Sequence, residues 1–314
     1  MLEIRDLSKS YGKHQALNHL NLEIAEGELF GFVGPNGAGK TTTIKILAGL
    51  LRPDSGTVRM DGQEMCCGAV DLKEKIGYVP DYFGVYDNVR VFEYLEFYAA
   101  AYGITGLVAR RRYTQLLEMV GLDGREESYV DSLSRGMKQR LGVARALVHD
   151  PRLLILDEPA SGLDPRTRQE FIEMLKGINQ CGKTILISSH ILSELGEMCT
   201  DIGIIEHGQM VLRGSLVDIL AMVNASNPLE IQVYQDMPEA VAFLRKNPLV
   251  NHMSIDGNRI MVGFGGGQME EAYLLRQMVE AGILVGSFGR RQGGLESVFL
   301  QITGKEEERM VAQG

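Results

Sequence analysis

Polar and apolar residues alternate with mixed period along most of this chain, but two short runs are apolar throughout: LFGFV at 29–33 and LLIL at 153–156. Such runs mark strands buried on both faces of a parallel sheet. Shorter apolar stretches at 57–60, 76–79 and 184–188 read as further strands. Helical spacing fills the gaps between them, at 41–50, at 91–120 with Gly121 as its cap, and at 134–149. Asp164 and Pro165 have the form of a helix start, with Asp as cap and Pro at the first position. That helix is expected to run to about 180, where Gly182 ends it. A short helix at 192–198 and a hairpin of 202–206 with 209–213, turning at His207 and Gly208, complete the pattern. Alternating strands and helices imply an α/β domain.

The pattern changes after NASNP (224–228), which reads as a linker. Beyond it come a strand (229–234), helix (238–246), two strands (250–255 and 259–264), helix (269–281), strand (284–289) and helix (295–302). This βαββαβ order fits a small α+β ferredoxin-like domain. The expected organisation is therefore a domain at 1–223 with a helical subdomain at about 84–150, an accessory domain at 224–304, and a charged tail at 305–314. A length of 314 residues accommodates two domains. The formal net charge of −9 argues against a nucleic-acid surface, which is usually basic. Four cysteines, two of them the adjacent Cys66 and Cys67 and the others Cys181 and Cys199, form no disulfide framework and no CxxC pair. No signal-peptide core opens the chain, and no apolar stretch reaches the roughly 18 residues of a membrane span. The chain reads as soluble, so any role at a membrane needs a partner.

Candidate chemistry begins at Gly34, where GPNGAGKT matches GxxxxGK[ST] between an apolar strand and a helix. Glycines there let backbone N–H groups close around a phosphate. Lys40 brings a charge to the β- and γ-phosphates, and the Thr41 hydroxyl is suited to Mg²⁺. Gly34, Pro35, Asn36, Gly37, Ala38, Gly39, Lys40, Thr41 and Thr42 are the candidate nucleotide-binding residues. In LLILDEP, Asp157 and Glu158 end an apolar strand, where ligands bind in open α/β sheets. Asp157 is placed to hold Mg²⁺ or its water, and Glu158 to polarise an attacking water. His190, after ILISS, could reach the γ-phosphate, although a lone His after a strand is more often structural. LSRGMKQR at 133–140 forms a second phosphate-seeking helix start, with Ser134 as its cap and Gly136 lacking a side chain.

In this order the motifs GPNGAGKTT, IGYVPD, LSRGMKQR, LLILDEP, ASGLD and ISSH resemble the ATP-binding subunits of ABC transporters over about residues 1–215. LSRGM is similar to the family signature LSGGQ. The resemblance implies a P-loop ATPase with ATP and Mg²⁺ as its ligands, and catalytic roles for Lys40, Glu158 and His190. It also implies that Tyr11, from sequence alone a turn residue before Gly12, stacks on adenine. Two subunits, expected to be identical, would pack head to tail, with Ser134 and Gly136 of one facing the γ-phosphate held by Lys40 of the other. Integral-membrane permease subunits would be the other partners, holding the ATPase on the inner, cytoplasmic face of the cell membrane. Asp81 stands where the family has glutamine; shorter and anionic, it is placed toward the metal, within reach of a metal-bound water. Arg135 and Met137 replace the family's glycine and glutamine.

The signature variant and the C-terminal extension ending LESVFLQITG resemble the ATPases of exporters with type-two permeases. The aromatic-rich stretch 82–102 would then receive a short permease helix, with core packing an equal alternative. Two other functions stay open at this point. One is a non-transport ABC ATPase, against which the single cassette and acidic balance weigh. The other is a nucleotide-sensing regulator with a ligand-binding C-terminal domain.

Overall fold

The computed structural model describes residues 1–65, 74–81, 84, 88–196, 198–215, 217–219, 228–234 and 237–290. Residues 224–227 of the expected linker, the helix at 295–302, the charged tail, Cys66, Cys67 and part of the aromatic stretch lie outside them. The chain divides into two compact units, Met1–Leu216 and Val217–Gly314.

The first unit is built on two sheets. One has six strands: β3 (Leu29–Val33), β6 (Ile76–Val79), β7 (Leu153–Leu156), β8 (Thr184–Ser189), β9 (Asp201–Glu206) and β10 (Gln209–Ser215). Their order is β10-β9-β3-β8-β7-β6, and all pairings are parallel except that of β10 with β9. The two apolar runs are its inner strands β3 and β7, buried at every position, as strands with a neighbour on each side and covered faces must be. The second sheet is antiparallel, in the order β2-β1-β4-β5, from β1 (Leu2–Tyr11), β2 (His14–Ile24), β4 (Ser55–Met60) and β5 (Gln63–Glu64). Its apolar face packs with α1 (Lys40–Leu47) on one side of the parallel sheet, forming one core that includes Ile4, Leu20, Phe30, Phe32, Ile44 and Ile155.

Strands β1 and β2 do not announce themselves in the hydrophobic pattern. The buried positions of β1 are Leu2, Ile4 and Leu7, so the period of two slips by one residue. A register shift between Ile4 and Leu7 accompanies this slip, and Asp6 there has φ +47°. In β2 the buried Leu20, Leu22 and Ile24 keep a period of two, but Ala16 and Leu17 are buried side by side, so the alternation slips between Leu17 and Leu20. Bulges hide a strand from a period-two reading because each adds one residue to the alternation.

The helical stretch expected at 91–120 is two helices, α2 (Val91–Ala101) and α3 (Gly106–Met119). Gly103 and Gly106 both have positive φ, which breaks the helix between them. The signature segment is α4 (Arg135–Leu147), which lies so close to β6 that a Cβ on Gly77 would sit 2.3 Å from the Ala146 carbonyl oxygen. Asp164 caps α5 (Pro165–Gln180), accepting a hydrogen bond from the Thr167 N–H at 3.1 Å. A short α6 (Leu192–Gly196) follows β8.

The second unit carries a four-stranded antiparallel sheet of β11 (Leu229–Val233), β12 (Val250–Asp256), β13 (Arg259–Phe264) and β14 (Val285–Arg290), in the order β12-β13-β11-β14. Two helices, α7 (Met237–Arg245) and α8 (Gln268–Glu280), pack on it around Leu229, Ile231, Ile260, Leu274 and Met278. Among the described residues, no helix is long and apolar enough to cross a membrane.

Each unit thus has a core of its own, and the first core ends at Ile205. A chain stopped after Ser215 is expected to fold alone, melting in one cooperative transition close to that of the same unit in the full chain. Differential scanning calorimetry of the truncated and full chains checks this; a truncated chain without a cooperative transition would refute it.

Candidate functional site

A cleft of about 410 Å³ opens at the end of β3, lined by Pro35, Asn36, Gly37, Gly39, Lys40, Thr41 and Thr42 from the loop and the start of α1. Tyr11, Asp81, Glu158 and His190 line it as well, so four distant segments converge on the glycine loop. His14, Ala16 and Ser161 complete the wall; Ser161 belongs to the ASGLD motif, whereas His14 and Ala16 lie in none of the motifs. Gly34, Ala38 and Asp157 lie beneath the lining.

The loop keeps its shape because other backbone runs against it. A Cβ on Gly34 would meet the Ile205 carbonyl oxygen at 2.3 Å, and one on Gly39, at φ +111°, the Ala16 carbonyl oxygen at 2.6 Å. The hairpin turn at His207 and Gly208 has positive φ at both residues, as a two-residue turn matching strand twist requires. From it the Gly208 N–H donates to the Ala38 carbonyl at 2.9 Å. Lys40 is 5% exposed. Its ammonium donates to the carbonyls of Gly34 (2.6 Å) and Pro35 (3.2 Å) and lies 3.4 Å from Glu158 Oε1.

Asp157 is 2% exposed, at the end of β7. Its Oδ1 accepts hydrogen bonds from Ser188 Oγ at 2.7 Å and Thr41 Oγ1 at 3.4 Å. Burial holds its carboxyl above the ordinary aspartate value, against those two bonds, and the charges of Glu158 and Asp81 push the same way. Glu158 sits at φ +50°, an uncommon conformation for a residue with a side chain. The same Ser188 holds it there, accepting the Glu158 N–H at 3.0 Å. His190 Nδ1 is 2.6 Å from Glu158 Oε2. Ser188 was missed as a functional residue. The available signal was a hydroxyl at the end of β8, the strand next to β7, opposite a buried carboxylate that needs hydrogen-bond donors.

The signature residues do not line this cleft. Ser134 is exposed and caps α4, accepting the Met137 N–H at 3.3 Å. Gly136 is buried, and a Cβ there would strike Thr167 Cγ2 at 2.4 Å, so its missing side chain also serves the packing of α4 on α5. Arg135, the departure from the family glycine, lays its guanidinium over Gly162 in the ASGLD loop.

The buried carboxylate of Asp157 yields a prediction about stability. Because its pKa is higher folded than unfolded, the stability present below the unfolded value is lost as pH rises through the folded value. Asp157→Asn is therefore expected to raise the Tm of the nucleotide-free protein at pH 7, with the gain shrinking as pH approaches the ordinary aspartate range of about 4. Thermal melts of both proteins across that range check it; an equal or lower Tm for the variant at pH 7 would contradict it.

Comparison with known proteins agrees with the geometry. The profile of the ABC transporter family matches residues 17–161. The linearmycin resistance ATP-binding protein of Bacillus subtilis is 32% identical over 307 residues, 97% of this chain and 99% of that protein. The Nod factor export ATP-binding protein I of Cupriavidus metallidurans is 34% identical, covering 98% of each chain. A solved dimeric ATP-binding cassette in a post-hydrolysis state, bound to ADP and Pi, is 27% identical with a TM-score of 0.62 over 69% of this chain and 99% of that one. With relatives of this identity aligned end to end, a glycine loop folded between β3 and α1, and Asp157 and Glu158 closing β7 beside it, the chain belongs to the family of ABC transporter ATP-binding proteins.

Proposed function

We propose that this chain is the ATP-hydrolysing subunit of a membrane exporter and works as a head-to-tail dimer closed by ATP. The observation that carries the dimer is the separation within one subunit: the phosphate loop gathers Lys40, Glu158 and His190, while Ser134 and Gly136 stay outside that cleft. A capped helix start with an exposed serine is suited to a phosphate, and the second subunit's nucleotide supplies one. Export is the reading drawn from relatives named for Nod factor export and linearmycin resistance.

ATP would lie with its adenine against Tyr11, half exposed at the rim, and its phosphates within the N–H groups of residues 37–42. Thr41 and Asp157, whose oxygens are 3.4 Å apart, fit a Mg²⁺ ion, with Asp81 at the cleft wall acting through a bound water. Among the described residues, no cluster of three or more His, Cys, Asp or Glu could hold a metal. That suits Mg²⁺, which keeps several waters and takes much of its shell from phosphate. When bound, the ion supplies positive charge against the phosphate oxygens. Glu158 accepts a proton from the water attacking the γ-phosphorus, and the bond to the bridging oxygen of ADP breaks. Lys40 stabilises the negative charge that builds on that oxygen. His190 orients Glu158 and faces the γ-phosphate.

An apolar groove of about 520 Å³ beside α2 is formed by Asn88, Val89, Glu93, Tyr94 and Phe97. Tyr94 is buried while Phe97 is 61% exposed, so the aromatic stretch divides between core and surface. We assign this groove to a cytoplasmic helix of the permease, which would hold the subunit on the inner face of the membrane. The strand order of the second unit fits a ferredoxin-like accessory domain, separate from the ATP-binding domain at 1–223.

Two measurements test this reading. Glu158→Gln is expected to slow hydrolysis by about 10²-fold or more, the scale of losing a general base, with ATP binding intact. The variant should then accumulate as an ATP-dependent dimer on size-exclusion chromatography; near-normal turnover would remove Glu158 from its role. The second measurement mixes Lys40→Ala, which spoils the loop, with Ser134→Arg, which spoils the signature. Neither is expected to dimerise alone, whereas the mixture gains ATP-dependent association because one of its two sites is whole. No gain from two folded variants would show that the signature serves its own loop.

A further inference from the structure

His190 is held from two sides. Its ring meets Glu158, and the backbone around it is fixed by a chain of polar contacts that reaches beyond the motifs to Arg168 and Glu194. The Ser189 hydroxyl, 4% exposed, accepts the Ile191 N–H at 3.0 Å and donates to Glu194 Oε2 at 2.9 Å. Glu194 is 7% exposed, on α6, and its other oxygen lies 3.2 Å from Arg168 Nε as an ion pair rather than an aligned hydrogen bond. Through Nη2 the same guanidinium donates to the Leu163 carbonyl at 3.2 Å. Leu163 belongs to the ASGLD loop, whose Ser161 lines the nucleotide cleft. A continuous path therefore runs from that loop through Arg168, Glu194 and Ser189 to the backbone on both sides of His190.

We propose that Arg168 and Glu194 are positioning residues for hydrolysis, which lock the placement of His190 to the ASGLD loop. Glu194 is buried but the Arg168 side chain is 31% exposed, and a pair open to water on one side adds little net stability, so stability alone does not account for this one. The pair does set geometry. A planar guanidinium donates to the Leu163 carbonyl and faces the Glu194 carboxylate by charge at 3.2 Å, and an ammonium cannot copy a fork that serves both. The carboxylate passes the constraint on, because its second oxygen accepts from Ser189. When the loop shifts, the guanidinium charge draws Glu194 with it, and His190 moves relative to Glu158. The inference rests on the ATPase reading above, and it adds two residues outside the cleft to the hydrolytic apparatus.

The experiment is steady-state ATP hydrolysis by the full chain, normalised to the fraction of protein that binds nucleotide, for Glu194→Gln, Arg168→Lys, His190→Ala and each of the first two combined with His190→Ala. Misplacing a reacting group slightly is enough to lower kcat, so Glu194→Gln is expected to lose about 10-fold with KM unchanged. Arg168→Lys keeps the charge but not the fork and is expected to lose less. In the His190→Ala background neither change should cost anything further, because the group they position is gone. Independent, multiplying losses in the double variants would overturn the proposal, as would wild-type kcat in both single variants. A lower Tm with unchanged kcat per binding-competent molecule would also overturn it, since that is what a purely structural pair does. Should Glu194→Gln not fold, the Arg168→Lys cycle decides alone. The failure of the underlying reading is distinguishable: Glu158→Gln and His190→Ala would then turn over normally, which takes the inference with it. Slow Glu158→Gln and His190→Ala beside a normal Glu194→Gln and a normal Arg168→Lys would sink only the positioning role.

Discussion

The structure of the site depends on backbone meeting backbone around a loop with almost no side chains. Gly34 lies under the Ile205 carbonyl and Gly39 under that of Ala16, at distances no Cβ would allow. A phosphate must be met by N–H groups, and N–H groups turn inward only if the loop curls tightly and is braced from outside. That bracing explains why so much of the first unit converges there. Strand β2 brings Ala16, the β9–β10 turn brings Gly208, and β3 delivers the loop itself. The apolar runs on either side are the rigid wall that a curled loop needs.

Beside this loop lies a cluster of polar and charged side chains in which Lys40, Asp157 and Glu158 are largely withdrawn from water and His190 sits at the exposed edge. Lys40 is shared between carbonyls and Glu158, Glu158 between Lys40 and His190, and Asp157 is buried on hydroxyls. Ser188 serves both carboxylate residues at once, as donor to Asp157 and acceptor from the Glu158 backbone. One hydroxyl therefore fixes the spacing of two acids, and the left-handed backbone at Glu158 is part of how that spacing is reached. Buried acids of this kind weaken the fold, and the large apolar core beneath them offsets that cost.

How much of this was legible beforehand depended on whether the signal was local. Strands β3, β6 and β7 came out at their observed ends because an apolar run states its own boundaries. Asp164 announced its helix because a cap and its proline are adjacent in sequence. The glycine loop and the two acids were readable as motifs, and the structure brings them together. Strand β1 and the first part of β2 were hidden by bulges, since a one-residue slip destroys the period that marks a strand, although Leu20, Leu22 and Ile24 in β2 keep it. Ser188 and the Arg168–Glu194 pair were hidden for another reason. Their partners lie 31 and 26 positions away in sequence, and nothing local marks a serine or an arginine that finishes another residue's geometry.

The edges of the six-stranded sheet have a consequence outside chemistry. Its outer strands are β6, only four residues long and pressed against α4 through Gly77, and β10, which carries a register shift beside Met210. Short or irregular edges offer few aligned N–H and C=O groups to another copy of the chain. In the proposed dimer closed by ATP, the subunit spends part of each turnover unpaired from its partner. Edges of this form let it do so without zipping strand to strand into insoluble aggregates.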